Sequence, residues 1–248
     1  MELTVLGAGP AYTDRPGATG AAYLVRVGGE ALLLDLGQGS FPALASQVEP
    51  SSLRAVVVSH LHPDHFVDLV PFRHYLLYEF SPPRRVRVLG PAGLDERIDA
   101  LHGEPGFTAA SLDVEPLAPG LVAIGSFGVE AAQVTHTNES YAFRVTTSGD
   151  GPGLVYSGDC GRAADLVPLI RPGDTLLTEI SFGAGPVPAG AQHLDGPAVG
   201  GLAADAGVGR VLLTHIQMGY DPEAAIAAVR ARFAGAVDLV APGLMFEV

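Results

Sequence analysis

Six consecutive residues, His60-Leu61-His62-Pro63-Asp64-His65, crowd three imidazoles and a carboxylate together. Imidazole nitrogens and carboxylate oxygens are first-choice ligands for a divalent metal such as Zn²⁺. Without a metal, such groups repel when protonated and lose hydration when buried. The chain has 8 His, and three fall in these six positions. A metal-binding loop is therefore expected, rather than a polar loop that happens to be rich in histidine. Three further candidates stand where apolar runs end: His136 after Val129 to Thr135, Asp159 after Leu154 to Gly158, and His215 after Val211 to Thr214. Singly, each has a plainer reading. A lone histidine at a strand end is more often a hydrogen-bonded core residue, and an Asp beside Gly is usually a turn former. Together with the cluster they supply five His and two Asp. Two metals sharing one carboxylate need that inventory.

The elements that must position these groups alternate strand and helix. Ala55-Val56-Val57-Val58-Ser59 reads as a buried strand feeding the cluster. Ala22 to Val27 and Ala31 to Asp35 read as a hairpin across Gly28-Gly29, and the second strand stops on Asp35-Leu36-Gly37. Ser40 is placed to cap a short helix through about Val48. Asp64 to roughly Phe80 reads as helical, with a kink or break at Pro71. Short β-like runs are expected from Val86 to Thr147, punctuated by Gly120, Gly125 and Gly128. Asp195 opens a helix stopped by Gly207, and Asp221-Pro222-Glu223 opens another with Ile226, Val229 and Phe233 as its buried stripe. Val56-Val57-Val58-Ser59-His60 echoes Val211-Leu212-Leu213-Thr214-His215, and Leu34-Asp35-Leu36-Gly37 echoes Ser157-Gly158-Asp159-Cys160-Gly161. The echo suggests one domain over 1–248 built from two related halves, about 1–147 and 148–248. Convergent strand-end chemistry is the alternative.

Composition bounds the partners. A chain of 248 residues with 48% hydrophobic and 17% charged content suits a large core and excludes a disordered chain. A net charge of −13 argues against a long nucleic-acid partner, although two divalent cations would offset part of it. Arg84, Arg85 and Arg87 read as one solvated strand face. Cys160 stands alone, so no intrachain disulfide can form. The first residues enter a strand, Glu2 to Leu6, without signal-peptide character, and no apolar run reaches membrane-spanning length. A soluble, cytoplasmic protein is expected. Tyr75-Leu76-Leu77-Tyr78 is a candidate homodimer contact. His74 and His102 fit no motif, and His74 is placed either in the pocket or on the surface.

The pattern His60-x-His62-x-Asp64-His65, then His136, Asp159 and His215 in that order, resembles the metallo-β-lactamase superfamily. The resemblance covers essentially the whole chain and includes Asp35-Leu36-Gly37. It implies an α/β, four-layer αβ/βα sandwich with two metals where the sheets meet. One metal would be held by His60, His62 and His136, and the other by Asp64, His65 and His215, with Asp159 bridging. His62 resembles the hydrolase branch, since the di-iron oxygen-reducing branch carries Glu there. Asp159 departs from the antibiotic-hydrolysing branch, which uses Cys, and Cys160 reads as packing.

Glu179 in Leu177-Thr178-Glu179-Ile180-Ser181-Phe182, and His193 after it, resemble the ribonuclease Z-like phosphodiesterases. In that group a glutamate orients the histidine that protonates the leaving oxygen. Thr178 departs from the His-Glu-Ala-Thr of tRNA-processing members. The span from His136 to Asp159 leaves no room for their long RNA-gripping arm. The pattern is closer to the compact cyclic-nucleotide phosphodiesterases. The implied chemistry is attack on phosphorus by a hydroxide bridging two Zn²⁺ (or Mn²⁺) ions, with Asp64 accepting its hydrogen bond and His193 as general acid. Ser140 reads equally as a phosphate contact or a turn residue. The substrate is expected to be a small phosphodiester. The alternatives are tRNA 3′-end processing, hydrolysis of a lactone or thioester, and a non-catalytic metal-binding sensor.

Overall fold

Many strands of this chain are apolar on both faces, so each sheet must be covered on both sides. The computed structural model describes residues 1–147 and 151–248. In it, Leu32 and Leu34 face one core while Leu33 faces another. The first sheet holds β1 (Glu2–Gly7), β2 (Ala22–Val27), β3 (Glu30–Leu34), β4 (Ala55–Val57), β5 (Val86–Gly90), β6 (Leu112–Pro116) and the late strand β14 (Met245–Glu247), in the order β14-β1-β2-β3-β4-β5-β6. The second holds β7 (Gly120–Ile124), β8 (Phe127–Gln133), β9 (Tyr141–Thr147), β10 (Leu154–Tyr156), β11 (Thr175–Glu179), β12 (Arg210–Thr214) and β13 (Ala236–Leu239), in the order β13-β12-β11-β10-β9-β8-β7. Both sheets are mixed: antiparallel from β1 to β3 and parallel from β3 to β6, antiparallel from β7 to β10 and parallel from β10 to β13.

Three apolar cores separate four layers. Between the sheets, Val25, Leu34 and Val57 pack toward Phe143, Tyr156 and Leu177. Outside the first sheet, Leu33, Val56 and Val88 meet residues of α1 (Phe41–Gln47), α3 (Leu69–Tyr78) and α4 (Leu94–His102), among them Leu44, Phe72 and Ile98. Outside the second, Val155, Leu176 and Leu213 meet Val199 of α5 (Gly196–Asp205) and Val229 of α6 (Pro222–Arg230). This is the αβ/βα sandwich expected from the sequence. The parallel strands end on one side, and ligand crevices form outside the carboxyl ends of such strands.

Three expectations about single elements need correction. The helix after the histidine cluster breaks at Val67-Asp68, between α2 (Pro63–Phe66) and α3, and not at Pro71. Pro71 falls in the first turn of α3, where its missing N–H has no intrahelical partner to lose. Ser40 stands at the N-cap of α1, but its hydroxyl donates to Gly37 O at 2.6 Å and caps nothing. The stretch read as short β runs contains α4, bracketed by Gly93 and Gly103, both at φ 81°. The chain changes sheets between Pro116 and Gly120, well before residue 147. The expected boundary at 147/148 abuts residues 148–150, which lie outside the described residues. The echo of β4 in β12 is also not positional: β4 lies one strand beyond β3, whereas β12 lies two strands beyond β10. Among the described residues no helix is long and apolar enough to cross a membrane.

Candidate metal centre

Each candidate ligand leaves the end of a strand or the first turn of a helix. His60 follows β4, and α2 turns Asp64 and His65 back toward it. His136 follows β8, Asp159 follows β10 and His215 follows β12. The backbone at two of these strand ends is strained: Asp35 and His215 are non-glycine residues with φ of 59° and 58°. Such left-handed positions cost about 1–3 kcal/mol and cluster at functional sites. Two glycines allow the close approach. A Cβ on Gly37 would stand 1.8 Å from Asp64 O, and one on Gly158 (φ 53°) would stand 2.9 Å from both Ser59 Cβ and Tyr141 O.

The side chains converge into two adjoining groups. His60, His62, His136 and Asp159 each offer a ligand atom within 4.8 Å of the others, as do Asp64, His65 and His215. The two oxygens of Asp159 divide between them. Oδ2 lies 3.7 Å from His60 Nε2 and 3.6 Å from His136 Nε2, while Oδ1 lies 3.4 Å from His65 Nε2 and 3.5 Å from His215 Nε2. His136 Nε2 is 3.1 Å from His62 Nδ1, and Asp64 Oδ2 is 3.2 Å from His215 Nε2. A tetrahedral ion with bonds of about 2.0–2.1 Å sets its ligand atoms roughly 3.3–3.4 Å apart. The observed spacings bracket that value.

The outer hydrogen bonds fix which nitrogen faces the centre. His65 Nδ1–H donates to Asp35 Oδ2 at 2.7 Å, and His136 Nδ1–H donates to Gln192 O at 2.8 Å. Both leave Nε2 aimed inward, the usual arrangement behind metal-bound histidine. Asp35 is fully buried; its carboxylate also accepts from Ser59 N, Ser59 Oγ and, across the inter-sheet core, the Tyr156 hydroxyl at 2.6 Å. Buried His60 Nε2, His65 Nε2 and Asp159 Oδ1 have no hydrogen-bond partner. Buried polar atoms are seldom left so, and here three of them point at the same centre. Protons alone serve the cluster badly. Burial and the neighbouring His65 push His60 well below the ordinary imidazole range. Burial would lower His65 too, but Asp159 and Asp35 outweigh it and raise His65 well above that range. Burial would raise Asp159, but His215 and His65 hold it well below the usual carboxylate range. Divalent cations fit this donor set in number, type and spacing.

Beside the two groups, Glu179 ends β11 fully buried. Its Oε1 accepts from His193 Nδ1 at 2.9 Å and from Cys160 N at 2.7 Å. His193 Nδ1 is 3.9 Å from Asp159 Oδ2, and its side chain is 17% exposed. Burial would lower the His193 pKa, but the hydrogen bond and charge of Glu179 outweigh it and raise it. Burial pushes the Cys160 thiol up to about 12, and its Sγ donates to Arg162 O, so it packs as the sequence suggested. Ser140 is 1% exposed. Its hydroxyl accepts from Thr137 N at 3.1 Å and pairs with Thr137 Oγ1 at 2.7 Å. It braces the His136 loop, and that engagement stands against its reading as a phosphate contact. His74 and His102 lie apart from the centre, against Phe107 between α3 and α4.

Sequence reasoning missed several supporting groups. Ser181 Oγ lies 3.2 Å from both His193 Nδ1 and His215 Nδ1. Tyr156 and Gln192 O hold the outer atoms described above. Their only sequence signal is adjacency: Ser181 stands two residues after Glu179, and Gln192 immediately precedes His193. Three cavities border the centre, among them one of about 500 Å³ beside His136 and Gln192. Another of about 410 Å³ runs beside His215, lined by Arg15, Ile216 and Pro242 among others. A third, about 480 Å³, is lined by His62, Asn138, Glu139 and Arg97 among others.

The beta-lactamase superfamily domain matches residues 33–216. An uncharacterized protein of Mycobacterium leprae is 34% identical over 257 residues, covering 100% of this chain and 89% of that protein. Metallo-hydrolase YhfI of Bacillus subtilis is 28% identical over 219 residues, 87% of each chain. Its crystal structure has the same fold, with a TM-score of 0.86 over 99% of both chains at 23% identity. The ribonuclease Z of Mycobacterium marinum is 36% identical over 104 residues, 41% of this chain and 37% of that enzyme. This chain belongs to the beta-lactamase superfamily, among its metallo-hydrolases.

Proposed function

We propose that this metallo-hydrolase of the beta-lactamase superfamily is a dinuclear phosphodiesterase acting on a small substrate, a cyclic nucleotide foremost. The observation that carries the reading is the Glu179–His193 pair, 2.9 Å apart and next to Asp159. A thioester leaves as a thiolate, which needs no strong acid. An alkoxide leaving phosphorus needs a proton, and a buried glutamate that raises a histidine pKa prepares one.

His60, His62 and His136 would hold one ion and Asp64, His65 and His215 the other, with one oxygen of Asp159 toward each. Such ions supply Lewis acidity and lower the pKa of a bound water toward neutrality. Asp64 is placed to accept a hydrogen bond from the attacking water. His193 keeps its Nδ1–H on Glu179 and offers Nε2–H to the departing oxygen. The restricted substrate size is supported by the basic cluster: Arg85 pairs with Asp113, and Arg87 pairs with Glu115 at 2.8 Å. With those charges matched and a net charge of −13, this cluster offers no basic track for a long RNA among the described residues.

The test is hydrolysis of 3′,5′-cyclic AMP by Zn²⁺- or Mn²⁺-loaded protein, with bis-p-nitrophenyl phosphate alongside. Turnover of both is expected, lost together with bound metal in His62→Ala. Turnover of the second alone keeps the chemistry and excludes the cyclic nucleotide. Turnover of neither by metal-loaded protein would transfer the assignment to a lactone or thioester.

A further inference from the structure

The 480 Å³ cavity is lined by the candidate ligand His62 and by Arg97 and Asn138. All 14 basic residues of the chain are arginines. Most are tied: Arg15 donates to Ile216 O and Tyr220 O, Arg85 pairs with Asp113, Arg87 with Glu115 and Arg144 with Asp174. Among the described residues, Arg97 has no side-chain hydrogen bond and no ion-pair partner. Its helix explains this. Arg97 lies in α4, and the neighbours three and four positions away, Gly93, Leu94, Ala100 and Leu101, carry no carboxylate. Glu139, the one carboxylate lining the cavity, is turned onto the Ala92 amide at 2.9 Å. A free guanidinium therefore faces the approach to the centre of a strongly anionic protein. Guanidinium binds phosphate in a bidentate, charge-assisted way. A cation at a cleft mouth also offsets the repulsion an anionic substrate meets from net negative charge.

We propose that Arg97 forms an anion subsite that takes a second phosphate, carried by the substrate beyond the scissile diester. The inference rests on the phosphodiesterase reading and adds to it a preference, over a plain phosphodiester such as cyclic AMP, for substrates bearing an additional phosphate monoester. Arg97 binds and positions; the bond broken is still the diester P–O bond at the metal centre.

A matched pair of chromogenic esters separates the possibilities: thymidine 5′-(p-nitrophenyl phosphate), with and without a 3′-phosphate. The native, metal-loaded protein should prefer the 3′-phosphorylated ester in kcat/KM by about tenfold or more, the worth of one charged hydrogen-bond contact. Arg97→Gln should erase most of that preference, and Arg97→Lys should retain part of it. Calorimetry supplies a readout independent of turnover: Zn²⁺-loaded native protein should bind thymidine 3′,5′-bisphosphate more tightly than thymidine 5′-monophosphate, and Arg97→Gln should bring the two together. Arg97 is exposed, so melting temperature and metal content serve as controls for folding. Equal turnover of both esters by the native protein, or an equal loss on both in Arg97→Gln, overturns the subsite while leaving the phosphodiesterase intact. No turnover of either ester by metal-loaded protein that hydrolyses cyclic AMP overturns the subsite alone, and no turnover of these esters, cyclic AMP or bis-p-nitrophenyl phosphate overturns the phosphodiesterase reading and the subsite with it.

Discussion

Glu179 and His193 show how one buried charge divides labour among histidines that share a cavity. Five imidazoles face the two metal groups through a nitrogen. His193 instead presents Nδ1 to Glu179, and Glu179 makes three bonds that lock it in place, to His193, Cys160 N and Ser181 N. His193→Ala should keep bound metal and lower kcat by about 100-fold or more, the usual worth of a general acid. His62→Ala should lose metal and activity together. Metal analysis beside kinetics separates the two roles. Glu179→Gln gives a pH test. The Glu179 charge raises the His193 pKa, so the acid form survives to higher pH with Glu179 than without it. Removing the charge lowers that pKa, and the alkaline limb of kcat/KM should move to lower pH. An unchanged limb would remove His193 from the role of acid.

The elements that carry these residues were legible to different degrees, for physical reasons. The strand ends at His60, Asp159 and His215 were readable because several apolar runs in one chain stop on metal-binding side chains; singly, each has a plainer reading. The helix α4 was not read. Its buried residues are only Leu94 and Ile98, too few to outweigh the β-like runs around it. Its real signals were Gly93 and Gly103 at the two ends and the acids of the first turn, Asp95 and Glu96. Asp35 was legible as a motif but not as a brace, since its partners Ser59, His65 and Tyr156 come together only in three dimensions. Loop glycines are similar. Gly37 and Gly28 look alike in sequence, yet a Cβ on Gly37 would overlap Asp64 O while one on Gly28 would meet nothing within 4 Å. Gly28→Ala should cost about 1 kcal/mol for its left-handed turn and spare the metal centre. Gly37→Ala forces the Asp64–His65 backbone aside, should cost about 1–3 kcal/mol, and should reduce metal stoichiometry. Equal effects of the two on metal binding would contradict the close approach.

At the scale of the whole molecule, the centre sits where two sheets meet, and its candidate ligands are drawn from both. His60, His62, Asp64 and His65 follow β4 of the first sheet, while His136, Asp159 and His215 leave the second. The sheets already share an apolar core and the Tyr156–Asp35 and Tyr23–Thr214 hydrogen bonds. Bound cations would add a cross-link between them that the unfolded chain cannot reproduce. They would also screen carboxylates in a chain whose net charge is −13. Ligand binding to the native state alone contributes about 2.7 kcal/mol when free metal exceeds its dissociation constant a hundredfold. For a chain of this size that corresponds to roughly 5–10 °C in melting temperature. Stripping metal with a chelator should therefore lower Tm by about that amount, and Zn²⁺ should restore it. Asp159→Asn should melt at nearly the same temperature with and without chelator, because it weakens the one carboxylate facing both groups. A native protein whose Tm ignores chelator would mean that the sheets are held by their apolar core alone and that the seven groups hold no structural cation.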